Sequence, residues 1–262
     1  MVAPTIDKEE AKVEAVGRSV VYALLSQTIA YPNEERLTLL REQLGDLFEA
    51  VADAADESLG VAMRRVLTSM DAPIQELQHA YNMQFSHIVS PDCPTNETAY
   101  SVKDVFQQAQ AMADVAGFFR AHGLQVGGPE RERPDHIGAE LEFMRHVAQQ
   151  EAMALEQGLA AEAAECERSQ DLFLREHLGC WGAQFGGRVA LAAKHPFYRH
   201  VGELLNAWIG VELETRGITP ERSLDEPMPM PPPMDEDGCG VDCPVADGGD
   251  ELIPIESIQG EG

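Results

Sequence analysis

Apolar residues return every third or fourth position through most of residues 11–216, a period that commits the chain to amphipathic helices packed on one another. Residues 11–31 carry Val13, Val16, Val20, Ala23 and Leu24 at this spacing, and Pro32 stops the run. Asn33 suits the cap of a second helix, with Glu34 and Glu35 at its positive end and a stripe of Leu37, Leu40, Leu44, Leu47 and Val51. A third helix near 57–70 bears Leu59, Met63, Val66, Leu67 and Met70. Asp71-Ala72-Pro73 restarts the chain into a helix with Ile74, Leu77, Tyr81 and Phe85. Further helices are expected over 102–122, from about 137 beyond Val147, and over 159–178, 181–193 and 196–216. Gly123 and Gly217 are placed as terminators. No segment alternates like a sustained strand, so the expected fold class is all-α, a single-domain helical bundle.

Two stretches break the period. Residues 89–99 hold two prolines and read as a loop, in which Thr98 can cap a following helix. Leu124 to Pro134, with Gly127-Gly128-Pro129, reads as a second long loop; Asp135 is placed to cap the helix after it, with His136 in the first turn. Beyond residue 220 the composition changes. Residues 223–262 contain 11 acids and no Lys or Arg, so this stretch is expected to be a disordered acidic tail on a helical domain of residues 1–222.

The charge narrows the function classes. With 45 acids against 19 bases the formal charge is −26, which repels nucleic-acid phosphates and attracts a cationic partner. The longest apolar run, Val20–Leu25, is too short to cross a bilayer, and the N-terminus lacks a basic region followed by an apolar one. Five cysteines form no disulfide framework. A cytoplasmic protein without stable membrane insertion is expected; the pattern leaves monomer or dimer open.

Catalytic signatures are missing: no phosphate-binding glycine loop, no nucleophile elbow and no H-E-x-x-H. Glu76-Leu-Gln-His79 supplies one E-x-x-H pair of the two that a helical di-metal oxidase needs, and Glu142 with His146 does not make the second. Cys239 and Cys243 offer two thiols for a metal-handling or iron–sulfur accessory role, without a second pair nearby. Neither amounts to an enzyme, and no cofactor is expected.

One set of stretches is more specific. It comprises Tyr81-x-x-x-Phe85, Pro91-x-x-Pro94-x-x-Glu97-Thr98-x-Tyr100, the segment Ala113–Leu124, Glu132-Arg133-Pro134-Asp135-His136-Ile137 running into Glu140-Leu-Glu-Phe-Met144, Trp181-x-x-x-Phe185, and Phe197-Tyr198 with Trp208-Ile209. In order and spacing the chain resembles the TorD/DmsD/NarJ family of redox-enzyme maturation chaperones over about residues 15–215. The resemblance implies a helical chaperone that catalyses no reaction. Its partners would be the molybdopterin-containing catalytic subunit of a DMSO-reductase-type enzyme and that subunit's twin-arginine leader, held while cofactor is inserted and export is delayed. It also implies peptide or partner contacts at Glu97, Tyr100, Glu132, Arg133, Pro134, Asp135, His136 and Glu140. The wording of Phe85–Pro94 is similar to the branch serving periplasmic dehydrogenases and oxyanion reductases. Met63, Met70, Met83, Met112 and Met144 offer adaptable apolar surface, although methionines on helical stripes are core by default.

Overall fold

A computed structural model describes residues 8–85, 93–101, 105–127, 133–222 and 255–257. The described chain is almost wholly helical: α1 (Lys8–Ile29), α2 (Glu34–Thr38), a π-helical turn (Leu39–Gln43), α3 (Gly45–Ala54), α4 (Glu57–Ser69), α5 (Ile74–Phe85), α6 (Thr98–Ser101), α7 (Val105–Ala121), α8 (Ile137–Gln157), α9 (Ala160–Glu176), α10 (Leu178–Ala192) and α11 (Pro196–Thr215). The all-α expectation therefore holds. Among the described residues, no helix is long and apolar enough to cross a membrane.

Helix α1 lies along α8 and touches α3 and α11; α9 joins α8 to α10; α10 pairs with α11, which rests on α4. The stripes read from sequence supply the core between them. Leu24, Leu25, Met63, Val66, Leu77, Leu141, Met144, Phe197, Leu204 and Leu205 are all buried. Tyr81 and Phe85 of the first motif pack on each other at 5.1 Å, and Phe85 meets Tyr198 at 5.6 Å. That motif is core packing, and of the methionines Met63, Met70 and Met144 are core while Met83 is exposed.

A buried polar network ties four helices. Glu151 of α8 takes both carboxylate oxygens to Arg18 of α1 at 2.7 Å and accepts from Gln170 of α9 at 2.7 Å. On the far side Arg216 reaches Asp171 at 2.5 Å and Gln170 at 3.2 Å, and Tyr22 donates to Glu212 at 3.1 Å. Charges this far from water persist because each has a partner and hydrogen bonds.

Several boundaries differ from the sequence reading, each for a local reason. The single second helix is two. Asn33 does cap α2, accepting from the Arg36 amide at 2.8 Å, but the Leu44 amide then bonds to the Leu39 carbonyl five residues back. A π-turn inserts one residue into the helical count. The buried stripe shifts accordingly: Phe48 and Ala52 face the core, while Leu47 is 42% exposed. Thr98 begins a helix inside the stretch read as loop, and Cys180 lies within α10. The second long loop contains a strand, β1 (Leu124–Val126), paired antiparallel with β2 (Ile255–Ser257). Three residues are too few to show alternation, and β2 sits inside the stretch expected to be a structureless tail. Residues 223–254 and 258–262, with Cys239 and Cys243, lie outside the described residues.

The α10–α11 pair is held at backbone distance by glycines. A Cβ added at Gly202 would stand 2.5 Å from the Ala190 amide nitrogen and 2.6 Å from the Gly186 carbonyl oxygen. Main-chain atoms cannot rotate away as a side chain can. Gly202→Ala is therefore expected to lower unfolding stability by about 1–3 kcal/mol, the usual cost of overpacking, measured by urea unfolding.

Candidate functional site

The two motif-bearing loops meet face to face. The Glu97 amide donates to the Asp135 carbonyl at 2.8 Å, the Ile137 amide donates to the Thr95 carbonyl at 2.9 Å, and Asn96 and His136 form an antiparallel bridge. These bonds fasten the start of α6 to the start of α8.

Asp135 closes the junction. Its carboxylate is fully buried and accepts from Arg133 Nε at 2.9 Å and a second Arg133 nitrogen at 2.9 Å, a two-pronged pairing of matched planar groups. It also accepts from the Thr98 hydroxyl at 2.8 Å and the Thr98 amide at 3.2 Å. Burial alone would raise the Asp135 carboxyl, but the Arg133 and Thr98 hydrogen bonds hold it below the usual range. Asp135 therefore serves the first turn of α6, across the junction. It does not cap α8, as its position in sequence suggests. His136 is that cap, its Nδ1 accepting from the Gly138 amide at 3.1 Å. His136 is half-buried, and burial pushes its imidazole down to about 4, so the ring is neutral and able to accept.

Beneath the junction lie two more carboxyl groups. Glu97 is fully buried, with one oxygen 3.0 Å from His177 Nδ1 and the other 2.5 Å from Arg222. Arg222 also donates to the Glu176 carbonyl at 2.7 Å, so the end of the helical body is anchored here. Glu140 accepts from the Trp181 indole at 3.0 Å; its other oxygen has no hydrogen-bond partner among the described residues. Burial, then the nearby Glu97 charge, pushes the Glu140 carboxyl well above its ordinary range. Tyr100 is buried against Trp181 at 5.1 Å, with the Arg188 guanidinium 5.6 Å from its ring centre.

Of the eight residues proposed for partner contact, seven are described, and six meet through this junction and the Trp181 contact beneath it: Glu97, Tyr100, Arg133, Asp135, His136 and Glu140. Pro134 lies between Arg133 and Asp135 and is half-buried. Glu132 lies outside the described residues. Four of the seven are interior: Glu97, Tyr100, Asp135 and Glu140. Arg133, Pro134 and His136 form the partly exposed side. Sequence reasoning missed His177 and Arg222, which carry no local pattern. Glu76 and His79 lie elsewhere, lining a cavity of about 800 Å³ with Lys194 and Tyr198. Among the described residues, no three His, Cys, Asp or Glu side chains are grouped to hold a metal ion.

Two outcomes follow from the burial. Asp135→Ala strips a buried amide and hydroxyl of their acceptor and should cost on the order of 2–4 kcal/mol in urea unfolding. Glu140 binds its proton more tightly folded than unfolded, so the native state loses stability as pH climbs from the ordinary carboxyl range towards the raised value. Glu140→Gln keeps an acceptor for Trp181 and removes that dependence. Melting curves should show the variant more stable than wild type at pH 8, with the gap narrowing towards pH 5.

Comparison with known proteins places the chain among its relatives. The nitrate reductase delta subunit family matches residues 38–186, which run from the end of α2 into α10 and include both loops. The chlorate reductase assembly chaperone protein of Ideonella dechloratans is 30% identical over 114 residues, covering 44% of this chain and 57% of that protein. The perchlorate reductase assembly chaperone protein of Dechloromonas aromatica strain RCB is 23% identical over 222 residues, covering 79% of this chain and 94% of its own. With more than half of its length matched, and in keeping with the resemblance carried by its motifs, this chain belongs to the nitrate reductase delta subunit family.

Proposed function

We propose that this protein is a cytoplasmic assembly chaperone for the catalytic subunit of an oxyanion reductase of the DMSO-reductase type. It would hold the apo subunit for molybdopterin insertion and bind its twin-arginine leader until export. The observation that carries the reading is the pair of relatives, named assembly chaperones for a chlorate and a perchlorate reductase, one of them aligned over most of both chains. Both named enzymes act on oxyanions, in keeping with the similarity read from Phe85–Pro94.

On this reading the motif residues take two tasks according to their burial. Glu97, Tyr100, Asp135 and Glu140 are too deep to touch a partner and act by fixing the two loops. The partly exposed Arg133, Pro134 and His136 would make the contacts. A leader with a basic end and an apolar middle is drawn to a chain of charge −26, and the neutral His136 beside Pro134 adds little cationic repulsion.

Purification of the full chain from its native host, followed by mass spectrometry, should recover a reductase catalytic subunit. Recovery of none from cells expressing such an enzyme overturns the assignment. At the leader site, Pro134→Ala combined with His136→Ala should weaken a synthetic twin-arginine leader by about fivefold or more in calorimetric titration, whereas Glu140→Gln should leave affinity unchanged. Equal affinity in all three proteins would take this surface out of leader recognition.

A further inference from the structure

The feature that assembly and leader binding leave unexplained is the ribbon formed by β1 and β2. Its two strands are far apart in the chain: Leu124–Val126 precedes the Arg133–His136 loop, and Ile255–Ser257 belongs to the acidic stretch. The register sets Leu124 opposite Ser257, Gln125 opposite Glu256 and Val126 opposite Ile255. β1 rests on α7, and β2 reaches α8. Within β1, Leu124 is buried, Gln125 exposed and Val126 half-buried, so the strand is seated on the body by alternate residues. Backbone groups of such a strand need a partner along the edge, and in this chain the partner is a segment of its own distant C-terminal stretch.

The geometry points to β1 as an acceptor edge for an extended peptide from a partner, kept closed in the free chain by residues 255–257. An edge of this kind recognises main chain, so any extended non-proline segment able to follow the register can replace β2. The chain's formal charge of −26 favours an incoming extended peptide with basic flanks. Because β2 is covalently attached, it competes as an intramolecular ligand, and a partner peptide binds only as strongly as it outcompetes that tethered strand. That the peptide be a twin-arginine leader rests on the function proposed above; the edge and its internal occupant do not.

The test uses the full-length chain and a labelled peptide of its own sequence, Leu-Ile-Pro-Ile-Glu-Ser-Ile, corresponding to residues 252–258. Ile255→Pro with Glu256→Pro places three prolines in a row in the tail and removes two amide donors. In this variant the amides of Leu124–Val126 should exchange faster with deuterium, and the added peptide should bind about tenfold or more tighter than to wild type. Gln125→Pro in the same background, at the exposed position of β1, should abolish that binding while circular dichroism shows the helices retained. Unchanged exchange at Leu124–Val126, equal peptide affinity in wild type and variant, or binding that survives Gln125→Pro would each overturn the proposal. A peptide that binds the opened edge while a leader does not would sink the leader assignment and leave the edge standing.

Discussion

The site depends on the cost of placing a carboxylate out of contact with water. Asp135 is interior, and a bare charge there is not tolerated; it persists because Arg133 grips both its oxygens and Thr98 supplies two donors. Meeting that demand is what brings the loops together. The donors sit at the start of α6, the acceptor just before α8, and the bonds between Glu97 and Asp135 and between Ile137 and Thr95 follow from the same juxtaposition. Remove the carboxylate and the reason for two distant loops to lie side by side goes with it.

Beneath this pair the chain handles two further acids in different ways. Glu97 meets a guanidinium and an imidazole. Glu140 has one indole donor, and burial favours its protonated form instead. The contrast explains how three carboxyl groups share one small volume without mutual repulsion expelling one of them: one is gripped by Arg133, one faces Arg222 and His177, and one is pushed by burial towards its neutral form. The outer residues Arg133, Pro134 and His136 are thereby presented on a support that is internally balanced.

Most of the helices were legible from periodicity, because a stripe on one face is a direct image of burial. Asn33 as a cap and Gly123 and Gly217 as left-handed terminators were legible for the same local reason: each acts within one turn of itself. What escaped depends on contacts across the chain. The π-turn at Leu39–Gln43 moved the buried face by one residue, which no stripe of leucines could foretell. Asp135 looked like the cap of the helix that follows it and instead serves one that precedes it by thirty-odd residues. His177 and Arg222 show no motif, since their only distinction is to face Glu97. The motif positions themselves were found by resemblance; their division into interior support and outer surface came from burial alone.

The Arg222–Glu97 contact also sets an order of assembly. A chain emerging from the ribosome presents its N-terminal parts first. The two loops can meet once residue 137 is available, and His177 can join them some forty residues later, but the guanidinium that faces Glu97 arrives only after every described helix has been made. Maturation of this centre thus coincides with completion of the helical body, and a nascent chain stopped short of residue 222 would carry the two joined loops on an unfinished base.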